Sequence, residues 1–194
     1  MSIIGILLAA GTSSRFKNKL PKQLYEINSI PIIEYSKNAM FDIVDKLIIV
    51  INKDINLDYK NVIILENNIN ERKASLNIAI SYIKSNFNNA EKVIIHDAAR
   101  PFVTKKYFEY ILNQKEKYNQ YAIKLTNGLY NIETSKPVNR DSYIELCTPI
   151  CISNEILKIQ ETDEILNSID ILPNFIYENI NILKKITTIE DLLN

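Results

Sequence analysis

The stretch Ile3-Ile4-Gly5-Ile6-Leu7-Leu8-Ala9-Ala10-Gly11-Thr12-Ser13-Ser14-Arg15-Phe16, followed by Pro21-Lys22-Gln23, decides how the rest of the chain reads. Ile3 to Ala9 is apolar almost without interruption, the pattern of a strand buried on both faces of a sheet. It empties into small residues that carry Arg15, with Lys22 close behind. Such a loop can bring backbone amides and two cations to a phosphate group. The same residues also fit an ordinary strand-to-helix turn with solvated charges. The Walker arrangement, which needs a second glycine directly before Lys-Ser/Thr, is absent. So is the dinucleotide fingerprint, because Ser13 and Phe16 stand where its later glycines would be.

Outward from this loop the pattern alternates. Lys46 to Ile51, Val62 to Leu65 and Val93 to Ile95 are further short β-branched runs. Pro31 opens a predicted helix from Ile32 to about Phe41, and Leu76, Ala79, Ile80 and Ile83 recur on one face of a second after Arg72. Thr104 is expected to cap a third, running to about Lys117 with Phe108, Ile111 and Leu112 inward. Alternating strands and helices predict an α/β fold with a doubly wound, mainly parallel, Rossmann-like sheet. After Tyr121 to Leu125, the polar stretch from about 126 to 142, with Gly128 and Pro137, reads as a protruding loop or arm. Thr187 with Glu190 predicts a capping box that opens a short final helix and fixes Lys185 just before it. With no repeat, linker or second composition zone, residues 1–194 are expected to form a single domain.

Composition bounds the partners. The 194 residues suit one core of ordinary size, and 23 basic against 23 acidic residues leave no broad field for nucleic acid or a membrane surface. Cations must therefore act locally, on a small anionic ligand. Cys147, Cys151 and the single histidine, His96, are too few for a zinc site of the usual kind, so the cysteines are expected to be reduced core thiols. The first residues lack the flanks and cleavage site of a secretory signal, and no apolar run reaches membrane-spanning length; the cytoplasm is the expected location.

The first loop resembles the signature of the 2-C-methyl-D-erythritol 4-phosphate cytidylyltransferases and their relatives acting on ribitol 5-phosphate, which reads Leu-Ala-Ala-Gly-x-Gly-x-Arg-Met and then Pro-Lys-Gln. Further blocks follow in the family's order: Asn70-Glu71-Arg72-Lys73-Ala74-Ser75-Leu76, His96-Asp97-Ala98-Ala99-Arg100-Pro101-Phe102-Val103, Thr148-Pro149, Thr162-Asp163-Glu164, and Lys185-Ile186-Thr187-Thr188-Ile189-Glu190-Asp191-Leu192. The resemblance implies a nucleotidyltransferase fold and transfer of a cytidylyl group from CTP to a sugar-alcohol phosphate, with Mg²⁺ bridging phosphates. It also implies a homodimer joined through the arm.

Carried over residue by residue, the resemblance makes Arg15, Lys22 and Lys185 the catalytic cations. Ala9, Ala10, Gly11, Thr12, Arg72 and Ser75 become nucleotide-binding residues; Asp97, Arg100, Thr126, Arg140 and Thr148 become acceptor-binding residues. Asp97 is also the candidate metal ligand, and Arg140 is expected to reach the acceptor phosphate from the partner subunit. His96 is expected to pack or hydrogen-bond. The chain departs from the pattern at Asn68-Ile69, where the family has a Gly-Gly pair, at Leu125 before Thr126, and at Ile150 after Thr148-Pro149. The last two fall on the acceptor side and leave a ribitol or other alditol phosphate as an alternative substrate. The missing glycines leave a catalytically silent nucleotide binder as another.

Overall fold

The computed structural model describes residues 2–13, 16, 20–69, 71–159 and 172–192. The strands are β1 (Ile3–Ala9), β2 (Glu26–Ile27), β3 (Ile30–Pro31), β4 (Lys46–Ile51), β5 (Val62–Glu66), β6 (Lys92–Asp97), β7 (Tyr118–Lys124), β8 (Leu129–Asn131), β9 (Lys136–Val138), β10 (Ile144–Ser153) and β11 (Asn174–Tyr177). The helices are α1 (Ile32–Phe41), α2 (Arg72–Asn86), α3 (Lys105–Leu112), α4 (Asn154–Ile159) and α5 (Ile180–Leu183). Seven strands form the central sheet in the order β11-β7-β10-β6-β1-β4-β5. Every neighbouring pair is parallel except the two made by β10, which runs against β6 and β7.

Side-chain alternation along the buried strands divides the core in two. Ile4, Ile6 and Leu8 of β1 face α2 and α4, packing with Ile48, Val50, Leu76, Ala79, Ile80 and Leu157. Leu7 and Ala9 face the other way, towards Ile33 and Met40 of α1, Phe108 and Ile111 of α3, and Leu183 of α5. Helices therefore cover both faces, and the sheet is doubly wound. Gly5 sits where α1 presses closest on β1: a Cβ there would lie 3.0 Å from Leu47 Cδ1 and 3.1 Å from Met40 Cε. Among the described residues no helix is long and apolar enough to cross a membrane.

Several expected boundaries shift. The Thr104 helix ends at Leu112, not near Lys117, and the Thr104 side chain makes no cap hydrogen bond. The next positions on its inward face, Lys115 and Glu116, are exposed and charged, so there is no apolar surface to carry the helix further. Near the end of the described chain it is Asp191, not Glu190, that answers Thr187. Its Oδ2 accepts from Thr187 N (2.7 Å), Thr187 Oγ1 (2.8 Å) and Thr188 N (2.8 Å), ahead of a 3-10 turn at Glu190–Leu192. Between β7 and β10, the stretch 126–142 carries the β8–β9 hairpin and a 3-10 turn at Arg140–Ser142, exposed along most of its length.

Candidate active site

In an open α/β sheet a ligand crevice forms beyond the carboxyl ends of the strands, where chain progression reverses. Here that point lies between β1 and β6: from β1 the chain winds outward through β4 and β5, then returns to the other side of β1 as β6. The loops leaving these two strands are tied by Ala98 N–H donating to Leu8 O (3.0 Å). A cavity opens there, lined by Ala10, Gly11, Lys22, Arg72, Asp97 and Lys185 among others.

Each wall has a local cause. Pro21 leads into a 3-10 turn at Lys22–Leu24. The buried Gln23 side chain folds back under the first loop, its Nε2 donating to Ala9 O (2.5 Å) and Gly11 O (2.8 Å). Ser13 adopts a left-handed φ of 58°, a conformation that normally favours glycine. Its hydroxyl accepts from Lys22 N (2.9 Å) and lies 3.3 Å from Gln23 Oε1, so the loop is closed by side-chain hydrogen bonds. The opposite wall is the start of α2. Buried Asn67 holds the turn before it, donating to Ser75 Oγ (2.7 Å) and accepting from Ile69 N (2.8 Å). Arg72 and Ser75 thereby share the cavity wall, as their spacing predicts.

Asp97, the last residue of β6, is the centre of charge. Its Oδ1 accepts from Arg72 Nε (3.0 Å) and its Oδ2 from Lys185 Nζ (2.9 Å), while its own N–H donates to Thr148 Oγ1 (3.1 Å). Burial by itself would raise its pKa; the nearby Arg72, Lys185 and Arg100 charges outweigh that and hold the carboxyl well below the usual range. Asp97 is therefore a fixed anion that orients two cations. Lys185, 88 residues further along the chain, reaches it because the following residue is anchored. Ile186 N–H donates to Ala99 O (2.7 Å), and the Ile186 side chain is fully buried with Phe16 and Ile32. Lys22 Nζ donates to Ile186 O (3.1 Å), so the two lysines meet on one short segment.

A second hollow adjoins the first, sharing Arg72, Asp97 and Lys185 and extending over Arg100, Tyr118, Gln120 and Thr148. It exists because β10 bulges. The register with β7 passes from Leu146↔Ala122 to Ile150↔Gln120, so Cys147, Thr148 and Pro149 span the place of Tyr121 alone. Arg100 is buried beside it, with Nη1 donating to Leu183 O. His96 is fully buried; Nε2 lies 3.2 Å from Arg100 O, and Phe108 meets the ring edge-on at 4.9 Å. A carbonyl partner requires the Nε2–H tautomer. Burial lowers the imidazole pKa to about 4, so it is a neutral packing group. Cys147 and Cys151 are buried free thiols, each raised to about 11 by burial.

The structure thus brings together Ala10, Gly11, Lys22, Arg72, Ser75, Asp97, Arg100, Thr148 and Lys185. Arg15 and the Thr162-Asp163-Glu164 block lie outside the described residues. Ala9 contributes its carbonyl to Gln23, but its side chain is in the core, and Thr12 is exposed beyond the lining. Thr126 and Arg140 line neither hollow; they are joined to each other on the exposed arm, Arg140 Nη1 donating to Thr126 O. Asn67, Tyr118 and Gln120 belong to none of the motifs, and Gln23 stands in one with no role assigned to it. For Asn67, Tyr118 and Gln120 the signal is only a polar side chain inside an otherwise apolar or turn-forming run.

The 2-C-methyl-D-erythritol 4-phosphate cytidylyltransferase family profile matches residues 3–170. The chain belongs to that family. It is similar to the enzyme so named from Thermotoga neapolitana, 27% identical over 173 residues, covering 83% of this chain and 77% of that one. It is likewise similar to that of Clostridium perfringens, 30% identical over 226 residues, covering 98% and 96%. In fold it superimposes on the bifunctional IspDF from Campylobacter jejuni with a TM-score of 0.80 at 22% identity, all of this chain spanning 54% of that longer one. The protein is accordingly a nucleotidyltransferase enzyme, built on the mainly parallel sheet of its family.

Proposed function

We propose that this cytidylyltransferase joins CTP to 2-C-methyl-D-erythritol 4-phosphate, releasing pyrophosphate and a CDP-alcohol, as its relatives' names describe for them. The observation that carries the reading is the convergence of Lys22, Arg72 and Lys185 on one crevice at the ends of β1 and β6. A phosphate oxygen of the acceptor attacks the α-phosphorus of CTP in line. A new P–O bond forms, the bond from the α-phosphorus to its bridging oxygen breaks, and pyrophosphate carries away the electron pair. The attacking oxygen is already anionic, so no general base is required. The barrier is the approach of two polyanions.

In this mechanism the Ala10–Gly11 segment and Lys22 receive the triphosphate, together with Arg15. Lys185, oriented by Asp97, sits against the α-phosphoryl oxygens, where positive charge counts most in the transition state. Arg72 and Ser75 border the nucleotide, while Arg100 and Thr148 border the acceptor. Among the described residues no group of three His, Cys, Asp or Glu side chains could hold a metal ion, and both Asp97 oxygens already accept from cations. That donor set fits an ion delivered on the triphosphate better than a resident metal cage. Asp97 is the carboxylate that would hold Mg²⁺, which would supply charge neutralisation between phosphates.

The reading includes a homodimer in which the 126–142 arm of one subunit brings Thr126 and Arg140 to the acceptor of its partner. It also includes action in the cytoplasm, because both substrates are multiply charged and do not cross membranes unaided. Pyrophosphate release with CTP, Mg²⁺ and a panel of alditol phosphates tests it. Turnover with 2-C-methyl-D-erythritol 4-phosphate is expected. Turnover with ribitol 5-phosphate alone would reassign the acceptor, and tight CTP binding without turnover would mark a silent binder.

A further inference from the structure

The hollow beside Asp97 has a polar floor in a place where a sheet interior is ordinarily apolar. Tyr118 and Gln120 lie two apart on β7 and so point to the same face of the sheet. Both are buried, 4% and 5% exposed. The Tyr118 hydroxyl donates to Gln120 Oε1 (2.8 Å), and Gln120 Nε2 reaches Cys147 O at 3.4 Å. A carboxamide carries two N–H groups and a phenol oxygen can accept as well as donate. One amide hydrogen and the phenol lone pairs are thus left over beside a hollow whose lining also holds Arg72, Arg100 and Lys185. Each of these groups has one protein partner, and its remaining hydrogen-bonding capacity borders the hollow, where a hydroxylated ligand can use it.

We propose that the Tyr118–Gln120 pair selects the acceptor by reading hydroxyl groups on its carbon chain, while the cations that line the same hollow take its phosphate. This rests on the acceptor assignment under Proposed function. The chemical class is a polyol monophosphate, and the pair is a specificity element that takes no part in phosphoryl transfer.

The test is steady-state kinetics of the full chain with CTP and 2-C-methyl-D-erythritol 4-phosphate, for wild type, Tyr118→Phe and Gln120→Met. Tyr118→Phe removes one oxygen at constant shape, so it guards against a variant that fails to fold. Expected is a rise in acceptor KM of about five- to tenfold in each, the size of one hydrogen bond. The KM for CTP should stay unchanged and the preference for the polyol over glycerol 3-phosphate should shrink; the melting temperature should fall by about 2–4 °C as the buried hydrogen bond between the pair is lost, so the kinetics are compared well below it. Unchanged acceptor KM and unchanged preference in folded variants would overturn the inference while leaving the function intact. A wild-type enzyme inert towards every polyol phosphate would overturn both.

Discussion

At the residue scale the site is a balance of charges around one buried carboxylate. Lys22→Ala and Lys185→Ala should each lower kcat by at least about 100-fold, the usual cost of deleting a group aimed at developing charge. The melting temperature should fall far less than activity does, because Arg72 and Arg100 still face the Asp97 carboxylate when Lys185 is removed, and Lys22 gives up a hydrogen bond to a backbone carbonyl. Equal losses of activity and stability, measured on the same preparations, would contradict the assignment. The same residues show what sequence can and cannot reveal. Lys22, Arg72, Asp97 and Lys185 were legible because each sits in a motif. The work of Gln23 and Asn67 was not legible, although Gln23 lies in the Pro-Lys-Gln motif, because they hold loop backbone, and that depends on where the loop turns.

His96 gives a pH prediction at this scale. Its folded pKa is lowered to about 4 by burial, against an unfolded value near ~6.5. As pH falls through that window the unfolded chain takes up a proton that the native protein refuses, so stability is lost on acidification, on the order of 3 kcal/mol by pH 4. Above pH 6.5 this contribution is fully present. The chain has one histidine, so its imidazole is a single, assigned NMR resonance; in the folded protein it should show no titration between pH 8 and 5. Asp97 works in the same direction but outside the ordinary range, since its depressed pKa keeps it ionised at any pH where the protein would be assayed.

At the scale of elements, the segment that carries Lys185 is fixed by two anchors that follow the lysine. Ile186 hydrogen-bonds to Ala99, and Asp191 gathers Thr187 and Thr188. Asp191→Ala should cost about 1 kcal/mol, in the range of a lost cap. It should also lower kcat, because the lysine loses its footing; thermal melting and turnover measured together check both. A fully active Asp191→Ala would mean that the Ile186 anchor suffices. The regular elements were plain from pattern: the β1, β4 and α1 boundaries coincide with the apolar runs that predict them. β10 was not, because its bulge at Cys147–Pro149 interrupts alternation, and β11 is a four-residue edge strand with polar neighbours. In each case the pairing partner, absent from any local window, supplies the missing information.

At the scale of the whole molecule, the separation of Arg140 from both hollows has a direct consequence. If the arm serves a partner, the protein should sediment as a dimer, and the exposed apolar residues of the arm, Tyr130 and Ile132, 61% and 87% exposed, belong at that contact. Ile132→Asp should shift the equilibrium towards monomer and lower activity in proportion, restored at high protein concentration. A monomeric wild type with full turnover would remove Arg140 from the mechanism.

The Ile186 anchor also orders events in time. Lys22 and the carbonyl it grips are 164 residues apart, so the ribosome releases the first lysine long before the segment that completes its pocket. Until Lys185 and Ile186 emerge and dock against Ala99, the growing polypeptide lacks one wall of the crevice. The proposed transfer activity is thus expected only once the Lys185–Ile186 segment has left the ribosome.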